Sequence, residues 1–128
     1  MLLRGSRRRL GGKGQALVEF AIALPLLLLI FCGIADFGRI YYQSLVVNEA
    51  AREGGRLAAL GKTQAEVQQA VRTYDPALTV VISPAAPTRG ANVSVTVQGS
   101  VSIITPLIER IVTPNPYPLQ ATVVLQVE

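Results

Sequence analysis

Gly14 closes a basic, glycine-rich arm, a single carboxylate, Glu19, follows five residues later, and Phe20–Ala35 then runs for sixteen residues without a charge. These residue types at this spacing suit one kind of chemistry, with the chain as its substrate. A protease needs an extended segment with little bulk beside the bond it cuts, and MLLRGSRRRLGGKG offers both, because glycine resists helix formation. Cleavage after Gly14 removes the arm and leaves Gln15 with a new α-amino group four residues before Glu19. One helical turn separates the two, so they can pair within a chain, or between chains when helices pack side by side. An ammonium and a carboxylate brought together in apolar surroundings stabilise each other where either alone would be costly.

Catalysis by the chain itself fails on inventory. There is no histidine and one cysteine, Cys32, which lies inside the apolar run. With no clustered carboxylates either, the sequence offers no triad, metal site or acid/base pair, and no cofactor or metal is expected. GGKG lacks the GxxxxGK[ST] spacing of a phosphate loop. A lone cysteine allows no disulfide within the chain, and Cys32 reads as a small buried hydrophobe.

Charge is distributed unevenly. Five of the twelve basic residues, Arg4, Arg7, Arg8, Arg9 and Lys13, precede the first acidic one, and beyond Gly14 seven basic side chains face eight acidic ones. The net charge of +4 therefore belongs to the arm. Arg7, Arg8, Arg9 and Lys13 read as a topology signal that stays on the cytoplasmic side. A nucleic-acid footprint would need basic side chains on a folded face with stacking aromatics, so no nucleic-acid partner is expected.

The elements that position these residues follow from periodicity. Residues 1–14 read as a leader. Residues 15–36 read as a transmembrane helix, since the twenty residues from Ala16 to Ala35 make about 30 Å of helix, matching the hydrocarbon core of a bilayer. Pro25 removes one backbone donor and predicts a kink or local unwinding. Residues 37–60 continue the helix amphipathically, with Phe37, Ile40, Tyr41, Leu45, Ala51 and Ala58 as the apolar set. Asp36, Arg39, Glu49, Arg52, Glu53 and Arg56 carry the charge, and Glu49–Arg52 and Glu53–Arg56 have the spacing of ion pairs. Gly54 and Gly55 predict a local weakening, and Gly61 a C-terminal cap.

Residues 61–128 then form a small α+β unit, near the lower size limit for a core of its own and so expected to lean on the long helix. Thr63 with Glu66 is a capping box for a short helix with Val67, Ala70 and Val71 on one face, ending near Tyr74 before Pro76. The period then changes to two in Leu78–Ser83, Asn92–Val101 and Leu119–Val127. PLIERIV reads as a helical turn between the last two strands, and TPNPYP as an extended linker. The expected fold is α+β: a long N-terminal helix and a short helix packed on a three-stranded antiparallel sheet.

The leader, Gly14, Glu19-Phe20 and the apolar run resemble a prepilin-type signal. More narrowly, GQALVEFAIALPLLLLIFCGIADFGR followed by VVNEAAREGGRLAA resembles the TadE-like pseudopilins of the tight-adherence (Flp, type IVb pilus) system, over Gly14 to about Ala59. The resemblance implies cleavage between Gly14 and Gln15 by prepilin peptidase on the cytoplasmic face. It also implies a role for Glu19 in processing or assembly, with Phe20 standing where the family often has tyrosine. Glu49, Arg52, Gly55 and Arg56 would belong to the family's second helical motif, in which Gly54-Gly55 replaces a more usual Gly-Ala pair. By the same resemblance the chain is a structural pseudopilin or minor pilin of the bacterial inner membrane. Its N-terminus would be cytoplasmic and its C-terminal part extracytoplasmic, and its partners would be the lipid bilayer, other pilins and pseudopilins, and the Tad inner-membrane platform.

The competing reading is a secreted or membrane-anchored extracytoplasmic binding protein. Ser6-Arg7-Arg8-Arg9-Leu10 partly matches a twin-arginine signal, and Gly33-Ile34-Ala35 offers a signal-peptidase site after Ala35. Glu19 and Pro25 interrupt the apolar segment, and the helical pattern crosses that cut without a break, which both weigh against it.

Overall fold

A 48-residue helix, α1 (Gly12–Ala59), is the axis of the fold, about 70 Å long at 1.5 Å per residue. The computed structural model describes residues 12–111 and 115–128. Arg7, Arg8 and Arg9 of the topology signal lie outside the described residues. After α1 come α2 (Gln64–Tyr74), β1 (Thr79–Ser83), β2 (Asn92–Val101), the single turn α3 (Ile108–Ile111) and β3 (Tyr117–Gln126). The strands form one antiparallel sheet in the order β1-β2-β3. The expected α+β architecture, with a short helix and a three-stranded antiparallel sheet, is what the chain adopts.

Several local expectations change. Among the described residues Gly12, Lys13 and Gly14 are already helical, part of α1 and not of an extended arm. Glycine costs only about 1 kcal/mol relative to alanine in a helix, and the Leu- and Ala-rich run that follows propagates backwards through it. Pro25 lies inside α1, and the helix continues on both sides of it without unwinding, which leaves room for a bend at that point. It is equally continuous at Gly54-Gly55, for a reason that lies in packing.

The apolar half of α1 is not covered by the rest of the chain. It is long and apolar enough to cross a membrane, and none of that window is buried. Leu17, Val18, Phe20, Ile22, Leu26, Leu28, Ile30, Phe31 and Ile34 all stand exposed, and so does Cys32. Each such side chain gains about 1.5–3 kcal/mol on leaving water, so this surface favours an apolar surrounding and suggests a single-pass membrane anchor. Cys32 is accordingly not a core residue of the fold, contrary to its sequence reading.

The second half of α1 seats on the sheet through small residues. Ala50, Ala51, Gly54, Gly55 and Ala58 are buried with Val47, whereas Phe37, Tyr41 and Leu45, expected to face the sheet, are exposed. A Cβ at Gly54 would stand 3.3 Å from Val71 Cγ2 and 3.4 Å from both Val67 Cγ1 and Val95 Cγ1. At Gly55 it would stand 2.9 Å from Leu125 Cδ1 and 3.1 Å from Val123 Cγ1. The glycine pair lets the helix approach both α2 and the sheet, and packing outweighs the loss of helix propensity.

Val93, Val95 and Val97 of β2 are fully buried, joined by Leu78, Val80 and Ile82 from the β1 side. On the outer face Thr96 and Thr122, directly opposite in the register, share a hydroxyl hydrogen bond of 3.0 Å. The free edge of β1 is covered by α2. Gln68 donates to Leu78 O and accepts from Val80 N at 2.9 and 3.0 Å, and Gln64 donates to Val80 O at 2.8 Å. These amides stand in for a missing strand neighbour.

Both helix ends between α1 and α2 are capped as expected. Gly61, at φ +77°, closes α1 in a Schellman motif in which its N–H reaches Ala58 O and that of Lys62 reaches Leu57 O. Thr63 accepts from Glu66 N, and the Thr63 N–H donates back to the Glu66 carboxylate at 2.9 Å. We expect Thr63→Ala to cost about 1 kcal/mol, read as a lower urea midpoint with an unchanged slope. The backbone N–H of Thr63, then its hydroxyl, then Lys62 hold the Glu66 carboxyl below the ordinary glutamate range. That contribution is complete above the ordinary range and lost as pH falls through the lowered folded value. Stability of the wild-type protein should therefore drop more steeply on acidification than that of Glu66→Gln.

Candidate functional site

The sequence singles out the start of α1, and the structure places Gly14, Gln15, Glu19 and Phe20 on its exposed first two turns. The Gln15 side-chain amide reaches the Glu19 carboxylate at 3.4 Å, across the one-turn spacing that would bring a new amino group at Gln15 near Glu19. A Cβ on Gly14 would meet nothing within 4 Å, so the bond after it is sterically open. Because this bond sits in a helical turn, cleavage there would require that the turn open. Helix ends fray, and the paired glycines Gly12 and Gly14 lower the cost.

The second helical motif divides by side. Gly55 lies buried beneath Val123 and Leu125, while Glu49, Arg52 and Arg56 are exposed. Glu53 and Arg56 form a bidentate pair, with Nη2 to Oε1 at 2.7 Å and Nε to Oε2 at 2.9 Å. The Arg56 guanidinium is the main cause that holds the Glu53 carboxyl below its ordinary range. The matching pair Glu49–Arg52 is not formed among the described residues. Both of its side chains are solvated, and ordering them costs more than an exposed ion pair returns.

One site was missed in the sequence. Asp36, the last residue of the predicted span, is buried at 4% exposure. Its carboxylate accepts from Ile104 N at 3.1 Å, Thr105 N at 2.7 Å and the Thr105 hydroxyl, and Thr105 is itself fully buried. Arg39, one turn on, stands 3.6 Å from the same carboxylate and donates to Ser102 O at 3.1 Å. Asp36 and Arg39 thus clasp the segment 102–105 that leaves β2 against the end of the apolar run. The available signal was a lone acidic residue closing an apolar stretch, where a charge needs a partner.

A shallow cleft of about 480 Å³ runs beside this clasp along Ala35, Arg39, Gln43, Asp75 and Ser102. Two of its polar side chains are already engaged, since Arg39 donates to Ser102 O and Gln43 donates to Asp75 at 2.7 Å. Among the described residues no three metal-ligating side chains converge. What the site offers is recognition and attachment: an open peptide bond, a carboxylate one turn beyond it, and a long apolar surface.

The family model for TadE-like proteins matches residues 14–56. This segment is TadE-like. It begins at the glycine that closes the arm and ends at Arg56, so it takes in the exposed apolar half of α1 and the helical half seated on the sheet. The match over this segment suggests a Tad pilus-associated protein with pilin or assembly partners. No curated protein and no solved structure matches the chain.

Proposed function

We propose that the chain is a structural pseudopilin or minor pilin of a Tad (Flp) type IVb pilus assembly and secretion system, cut by prepilin peptidase after Gly14. The observation that carries the reading is the TadE-like match, which starts at Gly14. In this reading residues 1–14 are a cytoplasmic leader and 15–36 span the bacterial inner membrane. Residues 37–60 extend the helix outside, and 61–128 form the extracytoplasmic α+β domain. Arg7, Arg8, Arg9 and Lys13 fix that topology. Once the leader is gone, the amino group of Gln15 gains Glu19 as its partner, in the same chain or in a neighbour.

Assembly then uses the uncovered side of α1. Phe20, Leu27, Ile30, Ile34, Phe37, Tyr41 and Leu45 are all exposed and recur at helical intervals, from within the apolar run to well beyond it. Such a stripe suits side-by-side packing against another long apolar helix. The outward charges of Glu49, Arg52 and Arg56 extend the same helix toward neighbouring subunits or the inner-membrane platform. Glu19→Ala and Gly14→Ala should each abolish maturation or piliation, read by immunoblot of the processed form and by electron microscopy of pili. Normal processing and normal pili in both variants would refute the reading.

A further inference from the structure

The chain has a second apolar surface at the level where α1 leaves its apolar run. α3 packs there: a Cβ on Gly33 would stand 3.8 Å from Ile108 Cδ1, so this short helix lies beside a residue inside the uncharged span. Asp36, one turn further, fixes the preceding residues Ile104 and Thr105. Around this attachment the large apolar side chains turn outward. Ile104 is 66% exposed, Leu107 64% and Ile111 76%. Leu107 also holds φ +70°, a conformation L side chains rarely adopt. The Leu107 carbonyl accepts from Arg110 N at 3.1 Å, so the backbone serves the α3 turn, while the leucine side chain itself is left uncovered by the fold. Tyr117 and Phe37 line a concavity with Ile103, Ile108 and Gly33 at this attachment.

We propose that residues Ile104–Ile111 form a membrane-interface foot, in which Ile104, Leu107 and Ile111 enter the bilayer's headgroup and acyl boundary beside the point where α1 emerges. The occupant is the lipid bilayer because α3 meets the apolar run at Gly33 through Ile108, and Asp36 at the end of that run holds Ile104 and Thr105. The inference rests on the reading of that run as a membrane anchor. Interfacial apolar side chains sink about 5–10 Å into the headgroup region, with aromatic residues at its edge, and Tyr117 and Phe37 stand where such a belt would be. The foot gives the protein a second point of contact with the membrane, and with two contacts the tilt of the sheet relative to the bilayer is set instead of free.

The test uses the full-length protein in vesicles of phosphatidylcholine and phosphatidylglycerol, in a Cys32→Ser background. An environment-sensitive fluorophore is placed at Leu107→Cys, at Ile111→Cys, or at Val81→Cys as a control. Val81 is exposed and pairs with Thr96, whose neighbour Val95 packs at Gly54, so it stands about 27 Å along α1 from Asp36. The probes at 107 and 111 should emit at shorter wavelength than the one at 81 and lose emission to lipids spin-labelled at shallow depth. Emission at 107 and 111 that matches position 81, with no loss to spin-labelled lipid, overturns the foot. Shielding at 107 and 111 that ignores spin-labelled lipid and grows with the protein-to-lipid ratio also overturns it, because a second copy is then the occupant. Alkaline carbonate extraction of the same vesicles reads the anchor separately. A protein that resists extraction while its probes stay unquenched loses the foot and keeps the anchor, whereas an extracted protein loses both.

Discussion

Gly54→Leu should abolish the folded β-rich part of the molecule, whereas Gly54→Ala should leave it nearly as stable as the parent. The alanine Cβ would lie 3.3–3.4 Å from Val71, Val67 and Val95, a fit that needs shifts of a few tenths of an ångström. Against that strain stands a gain of about 1 kcal/mol in helix propensity. Leucine adds three further carbons where Val67, Val71 and Val95 are each fully buried and branched at Cβ, so none can swing aside. Overpacking of this kind costs about 3 kcal/mol, a large fraction of what a small core can supply. Thermal melting and protease resistance of the detergent-solubilised protein measure it. A Gly54→Leu protein as resistant as wild type would mean that α1 does not seat on α2 and the sheet at this point.

Asp36→Ala should release the segment between β2 and β3 without unfolding the sheet. The substitution strands Thr105 N and its hydroxyl in a buried position and leaves Arg39 without its carboxylate. Each buried donor left unmade costs roughly 1–3 kcal/mol, and Ile104 N, at a more exposed residue, can recover a water partner. The total is about 3 kcal/mol, local to this clasp. Hydrogen exchange should rise sharply over Ile103–Ile111 and stay low in Val93–Val97. Equal protection in the variant would show that the apolar contact of Ile108 with Gly33 holds the segment alone. Asp36→Asn should behave nearly as badly, because an amide turns one acceptor into a donor facing donors.

The parts of the fold that are legible from sequence are those whose signals are local. The Thr63/Glu66 capping box lies within four residues, and the alternation of Val93, Val95 and Val97 sets which face of β2 is buried. Gly54 and Gly55 show the limit of local reading. In isolation two glycines in a helix predict weakness, and only Val67, Val71, Val95 and Val123, arriving from other elements, turn them into a point of close approach. The same limit misassigned the face of α1 that meets the sheet. Phe37, Tyr41 and Leu45 have the right spacing for a core stripe, yet close approach selects Ala50, Ala51 and the glycines. Gln64 and Gln68 look like ordinary surface residues until the edge of β1 is seen to lie against them. Asp36 shows in the sequence only as a charge closing an apolar stretch, because its partners are 68 and 69 residues away.

For the candidate site the balance is different. Gly14, Gln15, Glu19 and Phe20 stand on one exposed helical segment, with Gly14 inside the helix where the sequence predicts an extended arm, and in the proposed reading their meaning depends on an enzyme acting on the chain. The segment's helical state adds a requirement that the spacing alone did not: the first turn must open before the bond after Gly14 can be cut. Gly12 and Gly14 make that opening cheap, and replacing them with alanine strengthens the turn by about 1 kcal/mol each.

The most direct test of the account is the N-terminal residue of the mature protein, read by intact mass and terminal sequencing from cells with and without prepilin peptidase. Gln15 is expected when the peptidase is present and Met1 when it is absent. Met1 in both, or a terminus at Asp36, would contradict it.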